Sequence, residues 1–132
     1  MSHAEEVSQR TILVVDDSSL VRLYCQVTLA AAGFKVEQAI NGIEAMEKVL
    51  VTPFDLVIVD VNMPGMDGFS FVRTLRRTAA AVSSLPVLIV STEAGARDRE
   101  DARTAGANFY LVKPVSEAEL VRHVNVLVGL AP

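Results

Sequence analysis

Short runs of apolar residues recur along the chain and limit its possible folds more than any other feature. The clearest run covers residues 56–59, is rich in β-branched side chains, and ends abruptly at Asp60. A run this short is typical of a strand that is buried on both faces of a sheet. We predict further strands over residues 12–15, 34–39, 85–90 and 108–112, of which residues 34–39 alternate like an edge strand.

The segments between the predicted strands carry apolar residues at helical spacing. On the first segment these residues are Leu20, Leu23, Tyr24, Val27 and Ala31, and we expect them to face the core. Ser18 or Ser19 is predicted to cap this helix, and Gly33 to end it. Strands that alternate with helices form a parallel sheet with right-handed crossovers and with helices on both faces. The predicted fold is therefore an α/β, doubly wound (βα)5 sheet of five strands.

The composition is that of one globular domain. The chain has 132 residues, of which 51% are hydrophobic and 21% charged, and its net charge is −4. No cluster of Lys and Arg indicates a nucleic-acid surface, and no apolar run approaches the ~20 residues of a membrane span. The polar N-terminus lacks the apolar stretch of a signal peptide, so we expect a cytoplasmic protein. The single Cys25 excludes an internal disulfide framework.

Polar side chains follow four of the predicted strands at their carboxyl ends. They are Asp16 and Asp17 after the first strand, Asp60 after the third, Ser91 after the fourth and Lys113 after the last. In an open parallel sheet these ends line one crevice, where ligands bind. Three carboxylates in one crevice repel each other, which raised pKa values or a bound cation would offset. Carboxylate oxygens suit Mg²⁺, and Mg²⁺ with Lys113 could bind a phosphoryl group that Asp60 attacks.

At this point four motifs carry a family resemblance. They are VVDDSS at 14–19, VDVNMPGMDG at 59–68, VLIVSTEA at 87–94 and YLVKP at 110–114. In this order and at these spacings, the sequence is similar to the response-regulator receiver domains of two-component systems. The resemblance implies a flavodoxin-like fold with strand order 2-1-3-4-5. It also implies a tail over residues 1–10, a receiver domain over residues 11–129 and no output domain.

The resemblance implies a role for each residue of the predicted site. Asp60 matches the phosphoacceptor, Asp17 the direct Mg²⁺ ligand and Asp16 a ligand that acts largely through water. Asn62 matches the residue whose backbone carbonyl completes the metal site. Ser91 and Tyr110 match the switch hydroxyl and the switch aromatic, Lys113 matches the phosphoryl-binding lysine, and Pro114 matches a proline usually preceded by a cis bond. Asn62 and Glu93 occupy positions at which the family tunes dephosphorylation.

The resemblance also implies partners and an output. The phosphodonor would be a histidine kinase. Phosphorylation would switch the face formed by the fourth helix, predicted over 94–105 with little apolar surface, the last strand and the last helix. That face would bind a target such as the flagellar motor switch or a phosphotransfer protein, and a phosphatase could act on the domain. The spacing of Ser18 and Ser19 to Arg22 and the stretch STEA at 91–94 favour the chemotaxis type, with relay intermediate and phosphate sink as alternatives.

Three other kinds of protein remain as alternative interpretations of the sequence. A Mg²⁺-dependent phosphatase of the haloacid dehalogenase type also uses an aspartate nucleophile after a buried strand, but its second aspartate would fall at Asn62. A nucleotide-binding module would need a glycine-rich phosphate loop, and neither GxGxxG nor GxxxxGK[ST] occurs. A degenerate receiver would bind partners without phosphate. We expect a protein that catalyses only its own phosphorylation and dephosphorylation and is not otherwise an enzyme.

Overall fold

A five-stranded parallel sheet forms the centre of the computed structural model, which describes residues 10–132. The strands are β1 (Thr11–Val15), β2 (Lys35–Ala39), β3 (Leu56–Val59), β4 (Val87–Ser91) and β5 (Phe109–Val112), and their order is β2-β1-β3-β4-β5. The predicted sheet and its strand order are therefore confirmed. The predicted tail over residues 1–10 lies outside the described residues except for Arg10.

The strands owe their burial to their position within the sheet. Every residue of β3 and β4 is buried, because each strand has a neighbour on both sides and helices above and below. In register, Val59 lies opposite Val15 on one side and opposite Ile89 on the other. β2 is an edge strand with an alternating burial pattern, as its sequence predicts.

Four main helices connect the strands in residues 10–132 and a fifth follows β5, and side chains cap the amino-terminal ends of four of these five. The helices are α1 (Ser19–Ala31), α2 (Gly42–Val51), α3 (Gly68–Arg76), α4 (Ala96–Ala105) and α5 (Glu117–Leu127). The side chains of Ser18, Asn41, Asp67 and Ser116 accept hydrogen bonds from backbone N–H groups of the first helical turns. One additional helical turn at Ala80–Ser83 was not predicted. None of the helices within residues 10–132 is both long and apolar enough to cross a membrane.

The sheet divides the core into two layers. One layer centres on Phe71 and Leu75 of α3, which pack on one face of the sheet with residues of α2 and α4. The other layer centres on Leu29 of α1 and on Leu120 and Val124 of α5. α4 contributes only Ala102 and Ala105 as buried residues, so the predicted weak core face of this helix is confirmed.

The predicted core face of α1 is wrong. Leu20, Leu23 and Val27 are 76%, 55% and 61% exposed, while Cys25 and Leu29 are buried. The helix is apolar on two faces, so helical spacing alone offers two possible core faces and does not choose between them. Contact with α5 and the sheet selects the face that carries Cys25 and Leu29.

Candidate functional site

The carboxyl ends of four strands meet at one edge of the sheet. Asp16 directly follows β1, Asp60 directly follows β3, Ser91 is the last residue of β4, and Lys113 directly follows β5. Backbone hydrogen bonds fix these exits: Asp60 N–H donates to Val15 O at 2.9 Å, and Lys113 N–H donates to Ser91 O at 2.8 Å. The strand ends that carry the predicted residues therefore lie together at this edge.

Three carboxylates converge in this crevice. Asp16, Asp17 and Asp60 each offer an oxygen, and these atoms all lie within 4.8 Å of one another. Asp16 and Asp60 are buried, whereas Asp17 is exposed. Ligand oxygens on opposite sides of a Mg²⁺ ion are about 4.2 Å apart, since each bond measures about 2.1 Å. The donor set therefore suits one hard divalent cation, which would draw the three oxygens to within this separation.

The three acids differ in how their carboxylates are already engaged. One oxygen of Asp16, Oδ1, accepts a hydrogen bond from Ser18 N–H at 2.9 Å, and Oδ2 lies 2.9 Å from Lys113 Nζ. Both oxygens of Asp16 thus have protein partners. Asp17 faces solvent at the mouth of the crevice.

Lys113 supplies the positive charge of the site. Its Nζ lies 2.9 Å from Asp16 Oδ2 and 3.4 Å from Asp60 Oδ1. Burial alone would lower the pKa of Lys113, but its hydrogen bond to Asp16 and the charges of both carboxylates outweigh burial, so the pKa is raised. Lys113 is therefore held protonated, as a fixed cation beside Asp60.

Asp60 has surroundings that disfavour its ionised form. Burial raises the pKa of Asp60 above its ordinary value, and the charge of Asp16 raises it further, while Lys113 acts in the opposite direction. A cation bound between the acids would favour the ionised form of Asp60 and so lower its pKa. The ionised Asp60 would then be a nucleophile in a pocket that already holds positive charge to receive an anion.

Two residues that the sequence analysis did not assign to the site support its backbone. The Cβ of any other residue at Gly68 would collide with the carbonyl oxygen of Asp60 and the Cα of Val61. The guanidinium of Arg22 donates from Nη1 to the carbonyl oxygen of Asp16 at 2.6 Å. The signal for Gly68 was present, because glycine is a poor residue for the first turn of a helix and indicates a close approach.

The predicted switch residues meet at the backbone of Glu93. Ser91 is fully buried, and its Oγ accepts a hydrogen bond from Glu93 N–H at 3.2 Å. Tyr110 is 7% exposed, and its hydroxyl donates to Glu93 O at 2.7 Å. The Arg99 guanidinium lies 5.3 Å from the centre of the Tyr110 ring. Ser91 and Tyr110 are therefore linked through one residue at the start of the connection to α4.

The remaining predicted residues lie around the rim. Asn62 and Glu93 are exposed, in the segments that follow β3 and β4, where solvent reaches the crevice. The peptide bond between Lys113 and Pro114 is cis, in the form that the family resemblance implies.

Comparison with known proteins identifies the family. A model of the response regulator receiver domain matches residues 12–125, which is most of the chain. The chain belongs to the response regulator receiver domain family. As a receiver domain of two-component systems, it has the fold that its sequence resemblance implied.

Similar receiver domains occur in proteins of several kinds. The transcriptional regulatory protein PrrA of Mycobacterium leprae is 41% identical over 121 residues, which are 92% of this chain and 51% of PrrA. The receiver domain therefore spans about half the length of that relative. The solved structure of chemotaxis protein CheY4 of Vibrio cholerae has a TM-score of 0.85 and 36% identity, and the match covers 89% of this chain and 98% of CheY4.

A further solved structure bears on the acidic cluster. The receiver domain of sensor histidine kinase PA1611 of Pseudomonas aeruginosa has a TM-score of 0.84 and 29% identity, with 91% of this chain and 98% of that chain covered. That structure is described with a magnesium ion coordinated in its active-site cleft. The receiver domain described here has three convergent acids at the carboxyl edge of its parallel sheet.

Proposed function

We propose that this receiver domain accepts a phosphoryl group on Asp60 from the phosphohistidine of a partner histidine kinase. One observation carries the proposal: a buried carboxylate, Asp60, lies between a fixed ammonium group, Lys113, and two further carboxylates. In such a site an ionised carboxylate is unfavourable when no cation is bound beside it. The same site suits a cation together with an anionic phosphoryl group.

The transfer step uses groups with defined roles. An oxygen of ionised Asp60 attacks the phosphorus, the bond from phosphorus to the kinase imidazole breaks, and the imidazole leaves with the bonding electron pair. Lys113 pairs with the negative charge on the phosphoryl oxygens. Water later attacks the phosphorus, the bond from phosphorus to the Asp60 oxygen breaks, and inorganic phosphate leaves, so that Asp60 is again a carboxylate. Asn62 and Glu93 lie exposed at the rim, where they could act on that water. The domain then has no chemistry beyond its own phosphorylation and dephosphorylation.

The metal of this proposal is Mg²⁺. Asp17 and Asp60 would hold it directly, the backbone carbonyl of Asn62 would complete the set, and Asp16 would act through water. When bound, Mg²⁺ neutralises charge on the carboxylates and on the incoming phosphoryl oxygens. The convergence of the three carboxylate oxygens supports this assignment.

The output would pass through Ser91 and Tyr110. A phosphoryl group at Asp60 would attract the Ser91 hydroxyl, which would give up its hydrogen bond to Glu93 N–H. The connection that holds the Tyr110 hydroxyl would then rearrange, and the face made by α4, β5 and α5 would change. A target protein would bind that changed face.

A role in chemotaxis is the form of this output that we propose. The likeness to CheY4 supports it, because the match covers 89% of this chain and 98% of CheY4 at 36% identity. The target would then be the flagellar motor switch. A relay intermediate or a phosphate sink would use the same site chemistry and differ only in the protein that receives the signal or the phosphate.

Labelling by acetyl phosphate tests the proposed chemistry. We expect the intact mass of wild type to rise by one phosphoryl group in the presence of Mg²⁺ and to stay unchanged in EDTA. Asp60→Asn should gain nothing, while Asp101→Asn, which removes an exposed carboxylate of α4, should label like wild type. Labelling of Asp60→Asn at the wild-type rate would show that another residue is the acceptor.

A further inference from the structure

The two ends of α4 are held very differently. The buried residues of this helix, Ala102 and Ala105, lie in its carboxyl-terminal half. At the amino-terminal end, the capping residue Gly95 provides no side-chain hydrogen bond, and residues 92–97 are all exposed. Packing therefore holds one end of α4 and leaves the other with few contacts.

Arg76 strengthens the held end. This residue is the last of α3, and its Nε and Nη2 donate to Gly106 O, the capping residue of α4, at 3.0 and 2.8 Å. Its Nη2 also donates to Asn108 Oδ1 at 2.9 Å. From the opposite side its Nη1 donates to Ser83 O at 2.9 Å and to Leu85 O at 2.6 Å.

The network extends from Arg76 into the sheet. Asn108 Oδ1 also accepts a hydrogen bond from Val87 N–H at 2.8 Å, so the end of α4 is tied to the first residue of β4. Gly106 has a left-handed backbone, with φ of 111°, and any Cβ there would press on the Arg76 side chain. One guanidinium thus joins α3, the segment before β4 and the connection from α4 to β5.

The chemistry of this network requires arginine. Within residues 10–132 the hydrogen-bond partners of Arg76 are carbonyl and side-chain amide oxygens, with no carboxylate among them. A planar guanidinium donates in several fixed directions at once, whereas a lysine ammonium is a compact charge that cannot span both sides. The planar shape of the guanidinium, more than its charge, therefore explains why arginine can make these hydrogen bonds.

We propose that Arg76 is a positioning residue that fixes the carboxyl-terminal end of α4, so that α4 moves as a lever about that end. The free end begins next to Glu93, whose N–H and carbonyl are held by Ser91 and Tyr110. A change at those two side chains would therefore displace residues 92–98 while residues 102–108 stay in place. Only this last step rests on the proposed phosphorylation of Asp60.

Hydrogen exchange of the unmodified full chain tests the anchor. We expect Arg76→Gln and Arg76→Lys to speed exchange of the amides in residues 102–109 at least tenfold, with less than a twofold change in residues 25–29 of α1. Arg77→Gln, the same change at the exposed neighbouring position, should match wild type. Asn108→Ala, which removes one partner of the guanidinium, should speed exchange in the same residues and keeps the test decisive if an Arg76 variant fails to fold.

The same variants, treated with acetyl phosphate and Mg²⁺, test the lever. Within residues 92–109 of wild type, the change in exchange on labelling should be confined to residues 92–98. In Arg76→Gln it should spread to residues 102–109, although labelling stays within twofold of wild type.

Different results would contradict the anchor, the lever and the proposed function. The anchor is overturned if exchange in residues 102–109 is unchanged in both Arg76 variants, or if it rises equally over the whole chain. Labelling of wild type that alters both ends of α4 equally overturns the lever. Failure of wild type to label counts against the proposed function, and the unmodified chain still decides the role of Arg76.

Discussion

Asp60 is buried beside another acid, and its side chain opposes folding as long as the cation is absent. We expect Asp60→Asn to raise the free energy of unfolding at neutral pH in EDTA, because the variant removes a charge that burial and Asp16 disfavour. Lys113 keeps its shorter contact, to Asp16 at 2.9 Å, so the variant leaves no unpaired ammonium. Urea unfolding of both proteins measures the difference.

The increase in the free energy of unfolding that we expect for Asp60→Asn should depend on pH in a defined direction. Because the pKa of Asp60 is raised in the folded state, the folded protein binds a proton more tightly than the unfolded chain does. The destabilisation is therefore complete above the folded pKa and disappears as the pH falls below the ordinary value of about 3.9. The advantage of Asp60→Asn should shrink toward acid pH, and an equal advantage at pH 7 and pH 4 would contradict this account.

The sequence predicted the polar side chains that meet at the edge of the sheet but not every residue that contacts their backbone. Asp16, Asp60 and Lys113 were predictable because parallel strands bring their carboxyl ends to one edge. The contact of Arg22 with the carbonyl oxygen of Asp16 depends on tertiary packing, which local patterns do not encode. The close approach at Gly68 did have a local signal, the glycine in the first turn of α3.

At the scale of elements, α1 gives a direct test of which helical face is the core. Leu29 is fully buried and Leu23 is 55% exposed, although both are leucines of the same helix. Leu29→Ala should lower the free energy of unfolding by about 2–5 kcal/mol through lost burial and a cavity. Leu23→Ala should change it by less than about 0.5 kcal/mol. Urea unfolding followed by circular dichroism would contradict the structure if the two variants lost similar stability.

Element prediction succeeded where a single physical signal dominated. The strands β1, β3 and β4 were predictable because short, continuous apolar runs rich in β-branched residues are typical of buried strands. The core face of α1 was not, since both faces of that helix are apolar and tertiary packing selects one of them. The turn at Ala80–Ser83 buries no residue, so it carries no periodic signal that could predict it.

At the scale of the whole molecule, the pattern of elements predicted the class of fold but not the order of the strands. Alternation of strands and helices requires a parallel sheet, and several strand orders satisfy it. The order β2-β1-β3-β4-β5 followed from the family resemblance, which the match over residues 12–125 bears out. That order places β1 and β3 side by side, and Asp16 and Asp60 are neighbours for this reason.

The measurement that tests the central claim most directly is chemical trapping of the phosphorylated residue. Wild type labelled by acetyl phosphate with Mg²⁺ is treated with borohydride, which reduces an aspartyl phosphate to homoserine, and the peptides are sequenced by mass spectrometry. We predict homoserine at position 60 alone, and none when Mg²⁺ is withheld. Homoserine at Asp16, Asp17 or another position, with an unaltered Asp60, would contradict the account.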